Sequence, residues 1–313
     1  MKNTKHLISV TDLTAGEMQE VFSLTHSVKS EREKFYNALA HRTLAMIFQK
    51  PSTRTRVSFE TGMTQLGGHA IFLSNQELQL KRGETIADTS RTLSRYVDAI
   101  MIRSNNHRDV LELAGTSSVP VINGLSDIEH PCQVLGDIYT ILEKKSTKDL
   151  SHLKTTFIGD GNNVSNSLML ASAVLGMHFV LCTPEGYEPP KGIIEKSIEI
   201  ARRTGAKIEI LSSPVKAVDG SDIIYTDVWT SMGKEEEQSK RKEIFTPYQV
   251  NSGLLSRANP SAIVMHCLPA RRGEEITDEV MDGPSSVVFD QAENRMHVQK
   301  AILLYLLKET CNI

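Results

Sequence analysis

Residues 43–73 read TLAMIFQKPSTRTRVSFETGMTQLGGHAIFL, and the spacing of apolar side chains in this stretch decides the fold. The run over 43–48 is short, unbroken and stopped by Pro51, the pattern of a buried strand. Ser52 can cap a helix on which Phe59, Met63 and Leu66 share one face. Gly67 and Gly68 end that helix, and 69–73 returns as a strand. Strand, helix and strand in so short a span make a crossover, so the two strands pair in parallel.

The alternation continues on both sides. Upstream, Thr14-Ala-Gly-Glu17 is a capping box, predicting a helix to about Lys34. Downstream, the spacing predicts a helix over 86–96, a strand over 99–102, a helix over 108–114, a strand over 119–122 and a helix over 131–144. The polar stretch 144–149 has no apolar periodicity and marks a domain boundary. Strands over 155–158, 179–182, 207–211, 222–226 and 262–266 follow, with helical segments between them and one amphipathic helix over 290–309 at the end. The charged run over 234–242, KEEEQSKRK, reads as a solvated, mobile loop or helix end. The expected fold is α/β: two domains, each a mostly parallel sheet flanked by helices.

Composition bounds the function. The 313 residues carry a net charge of −3, so no global basic field attracts nucleic acid or an anionic membrane. Any anion site must be local. The four cysteines (Cys132, Cys182, Cys267 and Cys311) form no CxxC pair, so neither a disulfide framework nor a zinc site is expected. The first residues hold no apolar run of signal-peptide length, and no stretch could span a bilayer; a cytoplasmic protein is expected.

Ser52-Thr53-Arg54-Thr55 stands where a strand hands over to a helix. First-turn amides there have no internal acceptors, and the helix dipole adds partial positive charge. Hydroxyls and a guanidinium at that point suit phosphate oxygens. Arg56 reads as a surface partner of Glu60, four residues on. Arg54, on spacing alone, fits a solvated helix start as well as an anion ligand. Arg103 closes its strand, and His130-Pro131-Cys132-Gln133 begins another helix on the same sheet edge. A neutral imidazole there can donate to a carbonyl oxygen, so an anion with an adjoining carbonyl is favoured over bare phosphate.

Ser52-Thr53-Arg54-Thr55-Arg56, His130-Pro131-Cys132-Gln133, Asp227-Val-Trp-Thr-Ser231-Met232-Gly233 and His266-Cys267-Leu268-Pro269 occur in that order. Together they resemble the aspartate/ornithine carbamoyltransferase family, on its ornithine-using side, and the resemblance spans the chain. It implies a carbamoyl-phosphate-binding domain over 1–147, completed by a terminal helix over 292–313 that packs back on it, and an ornithine-binding domain over 148–291. The implied phosphate cradle is Ser52, Thr53, Arg54 and Thr55, with Arg103, His130, Gln133 and Arg295 on the phosphate or the carbamoyl group. Gln79 matches a glutamine that reaches into a neighbouring subunit's site. Asn163, Asp227, Ser231 and Met232 match groups that hold ornithine, and Cys267 and Leu268 match residues that meet the δ-amine and the carbamoyl NH2.

The implied chemistry is direct transfer of the carbamoyl group from carbamoyl phosphate to L-ornithine, with no metal and no organic cofactor, in a homotrimer with sites formed between subunits. Arg54, Thr55, Arg103, His130, Asp227 and Cys267 are the expected catalytic set. A free cysteine is most often a small buried hydrophobe; within His266-Cys267-Leu268-Pro269, Cys267 is expected to orient and deprotonate the amine. Two alternatives compete. Gly159-Asp-Gly161-Asn-Asn-Val164, followed by Glu185, is a partial dinucleotide fingerprint, but Val164 holds its third glycine position. A sister carbamoyltransferase acting on putrescine would have no α-carboxylate to hold and would lack Ser231-Met232-Gly233.

Overall fold

In the computed structural model, which describes residues 4–74, 76, 78–79, 83–230 and 237–308, the apolar runs are strands and most segments between them are helices. Thr14 and Glu17 form the expected capping box, and α1 follows over Ala15–Ser30. It stops at Ser30 rather than near Lys34 because Arg32–Phe35 buries no side chain and winds as a 3-10 turn. β1 (Thr43–Phe48), α2 (Thr53–Gln65) and β2 (His69–Ser74) form the parallel crossover. Then come α3 (Ile86–Leu93), β3 (Ala99–Arg103), α4 (His107–Thr116), β4 (Val121–Leu125) and α5 (Pro131–Lys144). α3 ends before Tyr96, at a point where Ser94 Oγ donates back to the Ser90 carbonyl at 2.7 Å. β4 starts at Val121, since Pro120 has no N–H to give a ladder.

This first sheet has the order β2-β1-β3-β4. Ala45, Ile47, Ile100, Ile102 and Val121 pack with Val110 and Leu113 of α4, and the alternate residues Leu44, Met46 and Met101 are buried as well. Burial on both faces explains why these strands are continuously apolar.

The alternation resumes with β5 (Lys154–Ile158), α6 (Asn163–Val174), β6 (His178–Cys182), α7 (Lys191–Thr204), β7 (Lys207–Leu211), α8 (Pro214–Val218) and β8 (Ile223–Thr226). It closes with α9 (Gln238–Phe245), α10 (Ser252–Leu255), β9 (Ile263–His266), α11 (Asp278–Met281) and α12 (Val288–Leu307). The second sheet is parallel, in the order β7-β6-β5-β8-β9. The charged run, expected as a solvated, mobile loop or helix end, is helical from Gln238 onward as the start of α9, but not all of it is solvated. Its Arg241 is buried, with Nη1 2.8 Å from an Asp160 oxygen and 2.8 Å from the Trp229 carbonyl. Burying a guanidinium is tolerable there because a carboxylate and a carbonyl meet it.

The chain divides into two compact units, Met1–Tyr139 with Asn294–Ile313, and Thr140–Glu293. α12 therefore begins in the second and ends in the first, where side-chain hydrogen bonds fasten it along its length. Lys29 reaches Asn294 at 2.7 Å, Arg295 reaches Thr55 at 2.6 Å, Lys300 reaches Gln65 at 3.0 Å and Tyr305 reaches Glu17 at 2.8 Å. Among the described residues no helix is long and apolar enough to cross a membrane.

Register decides which side chains meet within each unit. Phe48 is level with Arg103, and Arg103 with Leu125, so β1, β3 and β4 end together. In the second sheet Ile158 is level with Cys182 and Thr226, and Thr226 with His266. Such an edge of a parallel sheet gathers loops and helix N-termini. At the exit of β5, Gly161 donates to the Tyr187 carbonyl at 2.8 Å, and a Cβ there would stand 2.4 Å from the Pro189 nitrogen. Gly161→Ala is expected to cost about 1–3 kcal/mol in urea denaturation of the whole protein; an unchanged midpoint contradicts this packing.

Candidate active site

In the first unit the site grows from the start of α2. Ser52 Oγ accepts the Thr55 N–H at 3.2 Å and donates to Thr55 Oγ1 at 3.0 Å. Arg295 Nη2 also donates to Thr55 Oγ1, at 2.6 Å. Two incoming donors leave the buried Thr55 hydroxyl its own hydrogen to give away. Arg295 reaches this point because α5 carries Gly136, where a Cβ would stand 3.2 Å from the Arg295 Cα. Arg56 pairs with Glu60 at 2.9 Å, as expected. Arg54 is half-buried and Thr53 exposed on the same turn.

His130 is buried at the start of α5, with Nε2 3.4 Å from Arg295 Nη2. Burial pushes its pKa well below the usual histidine value, and the charges of Arg295, Arg103, Lys50 and Arg54 push it further. The ring is therefore neutral at neutral pH and offers one N–H. Arg103 is buried at the end of β3. Lys50 is half-buried, and its pKa is lowered by burial and by Arg103, with Asp127 opposing. Gln133 donates to Asp137 Oδ1 at 2.8 Å; its Oε1 is buried without a hydrogen-bond partner among the described residues. A buried acceptor left open invites a ligand donor.

In the second unit, Asp227 follows β8. Its Oδ1 accepts the Val228 N–H at 2.8 Å and faces Cys267 Sγ at 3.1 Å; its Oδ2 accepts Asn162 Nδ2 at 2.7 Å. Cys267 is half-buried just after β9. The next residue, Leu268, sits at φ 58 and donates its N–H to His266 Nδ1 at 2.9 Å. His266 Nε2 lies 3.1 Å from Glu275 Oε1, so a buried imidazole and carboxylate hold this turn. By contrast, the thiols of Cys132 and Cys182 are pushed up to about 12 by burial.

Asp227, His266 and Cys267 form a group with metal-ligand spacing. The His266 Nδ1 lone pair is already taken by the Leu268 N–H, and Nε2 is turned to Glu275, so the ring has nothing left for a cation. A dinucleotide fits no better. The turn at Gly161, where a pyrophosphate would press against backbone, is filled by 187–189.

Comparison with known proteins gives one consistent result. The carbamoyl-P binding domain model of aspartate/ornithine carbamoyltransferase matches residues 5–143, and the Asp/Orn binding domain model matches 151–306. The chain is 54% identical over 305 residues to the ornithine carbamoyltransferase of Pyrococcus abyssi, covering 97% of this chain and 96% of that protein. The anabolic ornithine carbamoyltransferase of Pyrococcus furiosus is equally similar, at 54% identity over 97% of this chain and 96% of its own length. A solved Pyrococcus furiosus ornithine carbamoyltransferase superposes with a TM-score of 0.92 at 54% identity, over 96% of both chains. The anabolic enzyme of Campylobacter jejuni gives 0.92 at 39% identity, over 97% and 99%. The chain belongs to the aspartate/ornithine carbamoyltransferase family.

Against the residues this family suggested, the first unit brings Ser52, Thr55, His130 and Arg295 into one cluster, and Arg54 and Arg103 act on it electrostatically. Gln79 is exposed, between β2 and α3. Asp227 and Cys267 meet in the second unit, with Leu268 next in the chain; Asn163 opens α6, and its neighbour Asn162 donates to Asp227. Ser231 and Met232 lie outside the described residues. Lys50 was legible only as part of the quoted stretch, and nothing in the spacing of Asn162 sets it apart from Asn163. The state of His130 has a direct check. Its folded pKa is depressed, so the unfolded chain takes the proton first, and its contribution to stability fades as pH falls below about 6.5. NMR should find its ring signals unchanged from pH 8 to pH 6; a titration midpoint near 6.5 contradicts a buried imidazole among guanidiniums.

Proposed function

We propose that this chain is an ornithine carbamoyltransferase, which transfers the carbamoyl group of carbamoyl phosphate to the δ-amine of L-ornithine and releases L-citrulline and phosphate. The observation that carries the reading is 54% identity over 97% of the chain to proteins of that name, joined to a cluster of basic groups around a neutral His130. Bound phosphate would rest on Ser52, Thr53, Arg54, Thr55 and the first amides of α2, with Arg295 and, from a neighbouring copy, Gln79. Thr55, Arg103 and His130 would meet the carbonyl oxygen as negative charge develops on it, and the open Oε1 of Gln133 would accept the carbamoyl NH2.

Asp227, Asn163, Ser231 and Met232 would hold the amino-acid end of ornithine, and Cys267 and Leu268 would face the δ-amine and the carbamoyl NH2. The amine attacks in its neutral form. A bond forms from nitrogen to the carbamoyl carbon, the bond from that carbon to the bridging oxygen breaks, and the phosphate departs with that electron pair while the nitrogen loses its proton. Asp227 and Cys267, which touch each other, would be the groups nearest that proton. The anabolic name of the Pyrococcus furiosus relative supports a role in arginine biosynthesis, where the chain would act as a cytoplasmic homotrimer.

Citrulline formation tests this directly. With carbamoyl phosphate fixed, ornithine should turn over and putrescine and aspartate should not; preference for putrescine overturns the substrate assignment. Arg54→Ala should lose about 10²–10³ in kcat/KM. Cys267→Ser should weaken ornithine use while binding of a phosphate analogue stays nearly intact, and equal loss of both would mean that Cys267 only packs.

A further inference from the structure

We infer that Asn162 is a positioning residue for Asp227, acting on the ornithine half of the reaction alone; this rests on the reading of Asp227 as an ornithine ligand. Asn162 is the N-cap of α6, and its Oδ1 accepts the Val164 and Ser165 N–H groups at 2.9 and 3.0 Å. Only the oxygen of an amide can accept, so these two bonds settle which way the side chain is turned. The Nδ2 end is thereby aimed away from the helix, and it meets Asp227 Oδ2 at 2.7 Å.

Capping alone does not call for asparagine, since aspartate and serine cap equally well. Asparagine is the capping residue that can accept from the helix and donate to a carboxylate through one rigid planar group. Without that amide, the Asp227 carboxylate would be held at Oδ1 alone, about a torsion that is intrinsically broad. Here the helix fixes the amide, the amide fixes Oδ2, and the Val228 N–H and Cys267 Sγ fix Oδ1. Asp227 is 7% exposed, so water has little share in this arrangement. An incoming ammonium then finds its acceptor already oriented, and the cost of ordering it falls on the folding of α6 rather than on binding.

Steady-state kinetics of the intact enzyme separate this from a capping role. Asn162→Asp keeps a capping oxygen but puts a second carboxylate beside Asp227. It should raise the ornithine KM about tenfold or more, as for a lost charge-assisted hydrogen bond, with the carbamoyl phosphate KM unchanged. Its Tm should lie closer to the parent's than that of Asn162→Ala, which loses cap and donor together. Unaltered ornithine kinetics in Asn162→Asp, or equal impairment toward both substrates, overturns the proposal. Asp227→Asn distinguishes the two levels of failure. If it leaves ornithine kinetics unchanged, the reading of Asp227 is wrong; if it raises the ornithine KM while Asn162→Asp does not, only the role of Asn162 fails.

Discussion

Like charges held close together are the constraint on which the first unit depends. Lys50, Arg54, Arg103 and Arg295 all bear on His130, in a chain whose net charge is −3. Side chains so placed repel one another and lose hydration as they are buried. The fold holds them there through features that have nothing to do with charge: the level ends of β1, β3 and β4, and the close approach of α5 to α12 at Gly136. On the proposed reading a bound dianion would relieve the repulsion, and with the cations in place beforehand it would do so without reorganisation. Burial, with the same field added to it, keeps His130 uncharged, which leaves it a hydrogen-bond donor rather than an acid.

The second unit solves a different problem by the same architectural means. Its level strand ends bring Asn162, Asp227 and Cys267 together, although they lie far apart in the chain. Here the central group is a carboxylate, and each contact to it is a donor. The basic groups of the first unit suit an anion and the carboxylate of the second suits a cation, a division that fits the two substrates of the proposed reaction.

Much of this was legible in the sequence because local rules agreed with the fold. The crossover over 43–73, the cap at Ser52, the box at Thr14 and the pair Arg56–Glu60 all follow from neighbours within a few residues. Arg295 was different. It meets Thr55 across most of the chain, and only a resemblance to known enzymes could have linked the two. Arg241 misled for a related reason: a charged run looks solvated until a distant carboxylate, here Asp160, is folded against it. Between Asn162 and Asn163 spacing could not choose, since the difference lies in which amide reaches a carboxylate from another strand.

Calorimetric titration of the intact protein with an analogue of carbamoyl phosphate that has a methylene in place of the bridging oxygen bears most directly on the first unit. The parent should bind one molecule per chain, more weakly as salt is raised, and Arg295→Met should bind about tenfold more weakly. Equal affinity in parent and variant, indifferent to salt, would mean that these cations do not receive the substrate.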